Sequence, residues 1–280
     1  GGKTEKEIFH QIDLPYIVPE FRENRGEIEA ARNDELPDLI EVTDIKGDLQ
    51  SHTTESDGKL SLEEMAAAAK KRGYEYLAIT DHSKKVSMAN GLDAERVLNQ
   101  IKMVEDYNSS QEDDFKVLKS IEVDILKDGS FDLPNSVLKK LDVVVGAIHY
   151  NFNLSEKDQT RRVLKAMENP YINIIAHPTG RLIGRRKPYE IDLEKVIEEA
   201  GDKGCFLEVN ASPSRLDLSN IYCKMAKEKK VKLAISTDAH SASEFNNMRL
   251  GVAEARRGWL EAEDVINTRN LNDFLELLKR

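Results

Sequence analysis

Val143-Val-Val-Gly-Ala-Ile-His149 is an apolar run that ends on a histidine. Five of the six histidines in this 280-residue chain lie at the end of such a run or just past it. They are His52, His82, His149, His177 and His240. Glu122 ends another run, Val117-Leu-Lys-Ser-Ile-Glu122. A single histidine in this position is usually part of a core. Imidazoles and carboxylates that recur where buried strands end indicate a set of metal ligands.

From residue 45 onward, apolar runs alternate with amphipathic helical stretches. The runs predict strands at 45–50, 76–80, 117–125, 143–149, 172–176, 205–210 and 233–236. Helical periodicity predicts helices at 27–33, 61–72, 93–107, 135–140, 156–167, 191–203, 220–229 and 272–278. Alternation of strand and helix implies an α/β fold with parallel strands. Seven such units predict a closed or nearly closed barrel, and an open doubly wound sheet is the alternative.

The position of the candidate ligands favours the barrel. Each of them lies at the C-terminal end of its predicted strand, and in a barrel these ends converge on one face. In an open sheet, residues from six strands would be strung along an edge and would not reach one site. We therefore expect a TIM-like barrel with its site at the C-terminal strand ends.

The first 44 residues have a different pattern. A short apolar stretch is interrupted by Pro15 and Pro19 and precedes only one short helical pattern. This composition predicts a connecting segment that packs on a neighbouring unit. His10 lies here without a nearby carboxylate partner in sequence, and we interpret it as structural or as a surface residue.

Composition limits the class of protein. Lys and Arg number 41 and Asp and Glu number 51, so the formal net charge is −10. No run of 18 apolar residues and no secretory signal pattern is present, which predicts a cytoplasmic protein with no membrane span. The two cysteines, Cys205 and Cys223, do not form a CxxC pair and are expected to be reduced thiols.

One dense basic patch follows the His177 motif. The acidic average of the chain argues against general binding of nucleic acid. The patch begins four residues after a predicted ligand, on the loop face of the barrel, so we expect it to contact backbone phosphates. Its members are Arg181, Arg185, Arg186 and Lys187.

The spacing of these motifs resembles that of the PHP superfamily, named for polymerase and histidinol phosphatase. Gly47-Asp-Leu-Gln50-Ser-His52-Thr-Thr-Glu-Ser-Asp57-Gly58 resembles its first motif. The later matches occur in the family order and extend the resemblance over residues 45–280. They are Ile79-Thr-Asp-His82, Ile121-Glu122-Val-Asp, Gly146-Ala-Ile-His149, Ala176-His177-Pro and Thr237-Asp238-Ala-His240.

Within the superfamily, the chain looks most like the C-terminal region of bacterial and archaeal family X DNA polymerases. The similar stretches are Glu20-Phe-Arg-Glu-Asn-Arg-Gly-Glu-Ile-Glu-Ala-Ala, residues 177–188, and residues 259–268. The resemblance implies that residues 1–44 are a linker from a polymerase core and that residues 45–280 are the PHP domain. The chain lacks paired carboxylates for nucleotidyl transfer, so we expect no polymerisation from it.

The resemblance also implies a distorted (β/α)7 barrel with three divalent ions, Zn²⁺ and/or Mn²⁺. Gln50, His52, Glu122 and Asp238 would hold the first ion. Glu122 would bridge to a second ion held by His149 and His177, and Asp57, His82 and His240 would hold the third. Glu122, Asp238 and His149 are the residues assigned to catalysis.

Gln50 departs from the superfamily pattern, in which many members have histidine. An amide oxygen is a poorer ligand for zinc than an imidazole, so this residue puts the first ion in doubt.

Carboxylates next to the candidate ligands have a supporting role in this scheme. Asp81 is either a further ligand or a residue that orients an imidazole, and Asp48 either orients His52 or lies at a surface strand end. Asp124 is expected to orient an imidazole. Asn210 and Arg215 either touch substrate or structure a loop.

The expected function is metal-dependent hydrolysis of DNA phosphodiesters. The resemblance implies a 3′–5′ exonuclease of DNA repair with activity at abasic sites or blocked 3′ ends, acting on DNA beside the polymerase core of the full-length chain. Two alternatives stay open: a small-molecule phosphatase of the histidinol-phosphate type, and a non-enzymatic PHP module that supports the polymerase core.

Overall fold

The computed structural model describes residues 2–279 and contains one sheet of seven parallel strands, which neighbour one another in chain order. The strands are β1 (Gly47–Asp48), β2 (Tyr76–Ile79), β3 (Lys116–Asp124), β4 (Val143–Ala147), β5 (Ile174–Ile175), β6 (Phe206–Asn210) and β7 (Leu233–Ser236). Beyond β1, the amide of His52 donates to the carbonyl of Ala239 at 2.8 Å, so the first and last strands meet. The predicted barrel is confirmed, and the open doubly wound sheet is excluded.

Helices surround the barrel, and each of the eight predicted helices is present. They are α1 (Glu5–Gln11), α2 (Glu27–Arg32), α3 (Leu62–Lys70), α4 (Ala94–Ser110), α5 (Asn135–Leu138), α6 (Glu156–Met167), α7 (Leu193–Lys203), α8 (Asn220–Glu228), α9 (Met248–Arg257) and α10 (Leu271–Leu277). Helix α3 begins with a capping box, in which Ser61 N donates to Glu64 Oε2 at 2.9 Å and Glu64 N donates to Ser61 Oγ at 3.3 Å. None of the helices in residues 2–279 is long and apolar enough to cross a membrane.

Two helices were not predicted from the sequence. Helix α1 lies in the segment that we predicted to be a connection without helical periodicity. Thr4 caps this helix by accepting a hydrogen bond from Glu7 N at 3.3 Å. Helix α9 contains Gly251, which weakens the helical signal because glycine is a poor helix former. A Cβ at Gly251 would lie 2.6 Å from a methyl group of Ile235, so glycine allows this helix to pack closely on the barrel.

The barrel is distorted at the seam between β1 and β7. At this point the side chain of Asn267 lies between the strands. Its Nδ2 donates to Gly47 O and to Ile235 O, both at 2.8 Å, and its Oδ1 accepts from Ile235 N at 3.0 Å. A side-chain amide thus replaces part of the backbone ladder between β1 and β7. Strand β1 is shorter than the predicted run at 45–50.

Apolar side chains close the lower end of the barrel, which we define as the N-terminal ends of the strands. The ring of Phe274 stacks on Tyr76 with 5.0 Å between centroids and 11° between planes. Ile266 and Leu278 belong to the same buried cluster. The upper end, formed by the C-terminal ends of the strands, carries buried polar residues instead.

Residues 9–40 pack against α9 and the residues that follow it. The ring of Phe21 meets Trp259 edge to face at 5.0 Å, and Arg256 Nε donates to Glu20 Oε1 at 2.8 Å. The amide of Ile40 donates to the carbonyl of Leu260 at 3.0 Å. This segment is therefore attached to the barrel by both apolar and charged contacts.

Candidate metal centre

The upper end of the barrel brings together side chains from the ends of six strands. They follow or belong to β1 (Gln50, His52, Asp57), β2 (His82), β3 (Glu122), β4 (His149), β5 (His177) and β7 (Asp238, His240). The predicted strand-end residues are thus gathered on one face, as expected for a parallel barrel.

Glu122 lies at the centre of the group and is 1% exposed. Its Oε2 is 2.8 Å from His82 Nδ1. Its Oε1 is 3.0 Å from His177 Nε2 and 3.5 Å from His149 Nε2. The two oxygens face different imidazoles, so this carboxylate offers ligand atoms in two directions.

A second set of donors surrounds Asp57. Its Oδ1 is 3.4 Å from His240 Nε2, and its Oδ2 is 3.6 Å from His82 Nε2. His52, His82, Asp57 and His240 each offer a donor atom within 4.8 Å of the others. Tetrahedral zinc with bonds of about 2.0 Å needs donors roughly 3.3 Å apart. The spacing of these atoms is therefore close to that of a coordination shell.

His52 lies between this set and Asp238. Its Nε2 is 3.1 Å from Asp238 Oδ1, and its ring stacks on His240 with 4.2 Å between centroids. The resemblance assigns His52 to an ion with Asp238, whereas the distances also place it beside Asp57. The imidazole of His52 is therefore within reach of both Asp57 and Asp238.

Several buried polar atoms at this end of the barrel have the chemistry of metal ligands. Among residues 2–279, both amide atoms of Gln50, His52 Nδ1 and His149 Nε2 are buried and have no hydrogen-bond partner. Such atoms are rare in folded proteins, since each costs about 1–3 kcal/mol. Divalent cations bound by Gln50 Oε1 and by the two imidazole nitrogens would remove that cost for these three atoms, so the residues present fit a metal centre.

The electrostatics of the group keep its carboxylates ionised. Burial alone would raise the pKa of Glu122, but His82 and His149 hold it well below the usual value. Burial likewise opposes ionisation of Asp238, whose pKa is held well below its usual value by His52 and Arg215. Two buried negative charges therefore lie among the imidazoles, an arrangement that attracts cations.

The two central imidazoles titrate in opposite directions. Burial lowers the pKa of His149, but the charges of Glu122 and Asp124 outweigh it and raise the pKa to about 9. Burial and the charge of Arg215 lower the pKa of His177 to about 4. His177 is therefore neutral near pH 7, the form in which an imidazole binds metal.

Asp124 and Glu208 fix the orientation of two candidate ligands. Asp124 Oδ1 is 3.0 Å from His149 Nδ1 and accepts from the His149 amide at 3.1 Å. Glu208 Oε2 accepts from the amide of His177 at 2.7 Å. These contacts direct the Nε2 atom of His149 towards Glu122, as second carboxylates do at many metal sites.

Within residues 2–279, neither Asp48 nor Asp81 makes a hydrogen bond to an imidazole, so the orienting role considered for them from the sequence is not found. Asp48 accepts from the amide and hydroxyl of Thr237 and so ties β1 to β7. Asp81 accepts from Thr53 N at 2.8 Å and from Ser56 Oγ, and it shapes the loop after β1. Their backbone partners were not visible in the sequence pattern.

The backbone at two candidate ligands is strained. His177 has φ of 29° and Asp238 has φ of 56°, which is the left-handed region. Non-glycine residues held in such conformations cost on the order of 1–3 kcal/mol and cluster at functional sites. The fold thus tolerates strain where it presents these two side chains.

The four basic residues of the predicted patch fall into two pairs. Arg181 donates to the carbonyls of Arg215 and Leu216, and Arg186 donates to Gly180 O at 2.9 Å. These two guanidinium groups are half-buried and stabilise loops. Arg185 and Lys187 are exposed.

Arg215 is a further cation at the site, left undecided by sequence reasoning. Its Nε is 3.3 Å from Asp238 Oδ2, and its Nη1 is buried without a hydrogen-bond partner among the described residues. Asn210 Nδ2 donates to the same carboxylate oxygen at 3.2 Å. The available signal was their position, since Asn210 is the last residue of β6 and Arg215 lies in the loop that follows it.

Comparisons with known proteins agree with this geometry. The PHP domain family model matches residues 48–212. The chain is 46% identical over 277 residues to the DNA polymerase/3′-5′ exonuclease PolX of Bacillus subtilis (strain 168), covering 99% of this chain and 48% of that protein. It is 30% identical over 246 residues to a probable phosphatase of Thermoanaerobacter sp. (strain X514), covering 83% of this chain and 95% of the relative.

A solved structure has the same fold. It is the histidinol phosphate phosphatase of Lactococcus lactis subsp. lactis Il1403, complexed with zinc, L-histidinol and phosphate, with a TM-score of 0.52 and 16% identity. The match covers 75% of this chain and 93% of that protein. The chain belongs to the PHP domain family. It spans about half the length of the Bacillus subtilis relative.

Proposed function

We propose that this protein is a metal-dependent DNA phosphodiesterase that removes nucleotides from 3′ ends. The observation that carries the proposal is the position of Glu122, a buried carboxylate whose two oxygens face imidazoles from three other strands. The 46% identity to a polymerase and 3′-5′ exonuclease of Bacillus subtilis supports DNA as the substrate. Processing of abasic sites and blocked 3′ ends in DNA repair is part of the proposal.

Three divalent ions, Zn²⁺ and/or Mn²⁺, are proposed as cofactors. Gln50, His52, Glu122 and Asp238 would hold one, Glu122, His149 and His177 a second, and Asp57, His82 and His240 a third. Bound divalent ions polarise phosphoryl oxygens and lower the pKa of water, which supplies a nucleophile at neutral pH. Glu122, Asp238 and His149 remain the residues assigned to catalysis.

We assign basic side chains of the protein to contacts with the phosphates of the DNA. The buried, unpaired Nη1 of Arg215 lies beside Asp238 and is available to a phosphoryl oxygen at the site. Arg185 and Lys187 are exposed beyond β5 and would hold the DNA backbone farther out. Arg181 and Arg186, which have carbonyl partners, would support this surface.

The partners follow from the Bacillus subtilis relative. Because the chain spans 48% of that protein, we propose that it acts beside a polymerase core of a longer chain in the cytoplasm, with residues 1–44 as the linker. The contacts of this segment with Arg256 on α9 and with Trp259 would hold the linker against the barrel.

A small-molecule phosphatase is the competing function, because the Thermoanaerobacter relative is named a probable phosphatase. An oligonucleotide labelled at its 5′ end distinguishes the two. We expect a ladder of products shortened one nucleotide at a time, complete loss of cleavage with EDTA, and recovery with Mn²⁺ or Zn²⁺. Hydrolysis of histidinol phosphate without shortening of the oligonucleotide would contradict the proposal.

The double change Arg185→Ala and Lys187→Ala tests the contact with DNA. Removing two phosphate contacts should weaken cleavage and reduce the slope of log affinity against log salt by about 1.4 on a single strand. Hydrolysis of a small chromogenic phosphodiester should be unchanged. If both activities fall equally, these residues do not act through the DNA backbone.

A further inference from the structure

A cleft on the flank of the barrel differs in charge from the rest of the molecule. It has a volume of about 690 Å³ and is lined by residues that follow α3, begin α9 and precede β1; we call it the flank cleft. Its lining includes Lys46, Arg72 and Arg249 and no carboxylate. Four other clefts, of about 480–740 Å³, each include at least two carboxylates. In a chain with a net charge of −10, the flank cleft is therefore a place that attracts a small anion.

The guanidinium of Arg72 is held in place without being neutralised. It donates to the carbonyls of Ala68 and Ala242 at 3.0 and 2.8 Å and to Asn246 Oδ1 at 3.0 Å. It also lies 5.3 Å from the centroid of the buried ring of Phe245. All of these partners are uncharged, so the positive charge is fixed but not compensated. A cation that is already fixed loses little conformational entropy when an anion binds to it.

The other two cations of the flank cleft have little compensation from carboxylates. The guanidinium of Arg249 is exposed and makes no ion pair or hydrogen bond with the described residues. The ammonium of Lys46 is 3.9 Å from Glu75 Oε1, and both side chains are about two-fifths exposed, so this ion pair is weak. Both cations are therefore available to a ligand.

The remaining wall of the flank cleft is apolar and aromatic. Ile45 and Met248 are buried beneath it, and the half-buried ring of Tyr74 meets Phe245 edge to face at 6.3 Å. The hydroxyl of Tyr74 has no hydrogen-bond partner within residues 2–279. Burial raises the pKa of Tyr74, so this hydroxyl stays protonated and can donate. Apolar walls with a few convergent polar groups are typical of sites for small molecules.

We propose that the flank cleft binds a nucleoside monophosphate, with its phosphate held by the three cations and its base against the apolar wall. Guanidinium groups suit phosphate because their donors match its oxygens, and a base supplies the flat apolar part that this wall accommodates. The choice of a nucleoside monophosphate rests on the proposed function, since removal of nucleotides from DNA releases this class of compound. The flank cleft contains none of the candidate metal ligands and is thus a separate site.

Calorimetric titration of the metal-loaded protein with deoxyadenosine 5′-monophosphate tests the proposal. In the double variant Lys46→Ala, Arg249→Ala, one binding event should be weakened about 10- to 100-fold, because two contacts with the phosphate are lost. Any binding at the metal centre should be retained. The control Lys102→Ala, Arg161→Ala removes the same charges from two of the other clefts and should bind as wild type. Equal binding by wild type and the first double variant would overturn the proposal.

Fragments of the ligand test the two parts of the flank cleft. Inorganic phosphate and deoxyadenosine should each bind about tenfold or more weakly than the whole nucleotide, because each makes only part of the contacts. Tyr74→Phe should weaken nucleotide binding because it removes the hydroxyl and keeps the ring. Phosphate that binds as tightly as the nucleotide would reveal a site for a simple anion and overturn the assignment.

An exonuclease assay separates this inference from the proposed function. Lys46→Ala, Arg249→Ala should shorten a 5′-labelled oligonucleotide at the wild-type rate, because the flank cleft lies outside the metal centre. Loss of hydrolysis in this variant would place both cations in the path of the DNA and overturn a separate site. If wild type hydrolyses no DNA, the proposed function fails, and the difference in nucleotide binding still decides whether the flank cleft is a site.

Discussion

At the lower end of the barrel, the side chain of Asn267 makes three hydrogen bonds across the seam. At the upper end, both amide atoms of Gln50 are buried and have no hydrogen-bond partner within residues 2–279. The lower end is filled by Phe274 stacked on Tyr76. The upper end contains the buried carboxylates of Glu122 and Asp238 among imidazoles.

The same seven strands therefore end in two different kinds of interior. At the lower end the amide of Asn267 is hydrogen-bonded and the rings of Tyr76 and Phe274 are packed, so this region contributes stability. At the upper end unpaired donors and a strained backbone at His177 and Asp238 persist, because the surrounding barrel holds them. The difference separates residues whose loss should affect folding from residues whose loss should affect chemistry.

Glu122→Ala should have the largest effect. The change removes the carboxylate that faces His82, His149 and His177, so metal content and DNA hydrolysis should both fall. The loss of activity should exceed the roughly 10- to 100-fold loss that follows when a residue hydrogen-bonded to a metal ligand is changed. Metal analysis and an exonuclease assay measure it, and Glu105→Ala, an exposed position on α4, is the control. Full activity in Glu122→Ala would contradict the assignment of this residue.

Phe274→Ala should lower stability and leave the metal content unchanged, in contrast to Glu122→Ala. Removal of this fully buried ring should lower the free energy of unfolding by about 3–5 kcal/mol. Chemical denaturation measures the change, with the exposed Ile221→Ala expected to cost no more than about 0.5 kcal/mol. Metal content per folded chain should stay at the wild-type value. Loss of metal from the folded variant would show that the two ends are coupled.

Asp124→Asn tests the contact by which Asp124 orients the imidazole of His149. An amide keeps an oxygen acceptor but removes the charge that raises the basicity of the imidazole, so metal affinity or activity should fall about 10- to 100-fold. Competition with a chelator measures the affinity. Asp128→Asn, an exposed change nearby in the chain, should have no effect, and an equal loss in both variants would refute the role of Asp124.

Gln50 should give the smallest effect on activity. Gln50→Ala should cost less than the about 10-fold lower limit for Asp124→Asn, because His52, Glu122 and Asp238 remain. Gln50→His should raise zinc occupancy, since imidazole is a better zinc ligand than an amide oxygen. Metal content and exonuclease rate of the three proteins test this order. Inactivity of Gln50→Ala would make Gln50 a required ligand or substrate contact.

The sequence predicted the features that repeat. Periodic apolar runs gave the strand order, and the histidines at their ends indicated which face carries the site. Features that depend on one distant contact were not predictable: Asn267 bonds to Gly47 across 220 positions, and Arg181 bonds to the carbonyls of Arg215 and Leu216. Such side-chain-to-backbone contacts leave no periodic trace in the sequence.

The most direct test of the metal centre is an anomalous-difference map from crystals grown with Zn²⁺ or Mn²⁺. We expect strong peaks at the upper end, with one between Glu122 and the imidazoles of His149 and His177 and another beside Asp57 and His240. Ligand distances should be about 2.0–2.2 Å for zinc. No peak within reach of Glu122, in crystals that bind the ion elsewhere, would contradict the account.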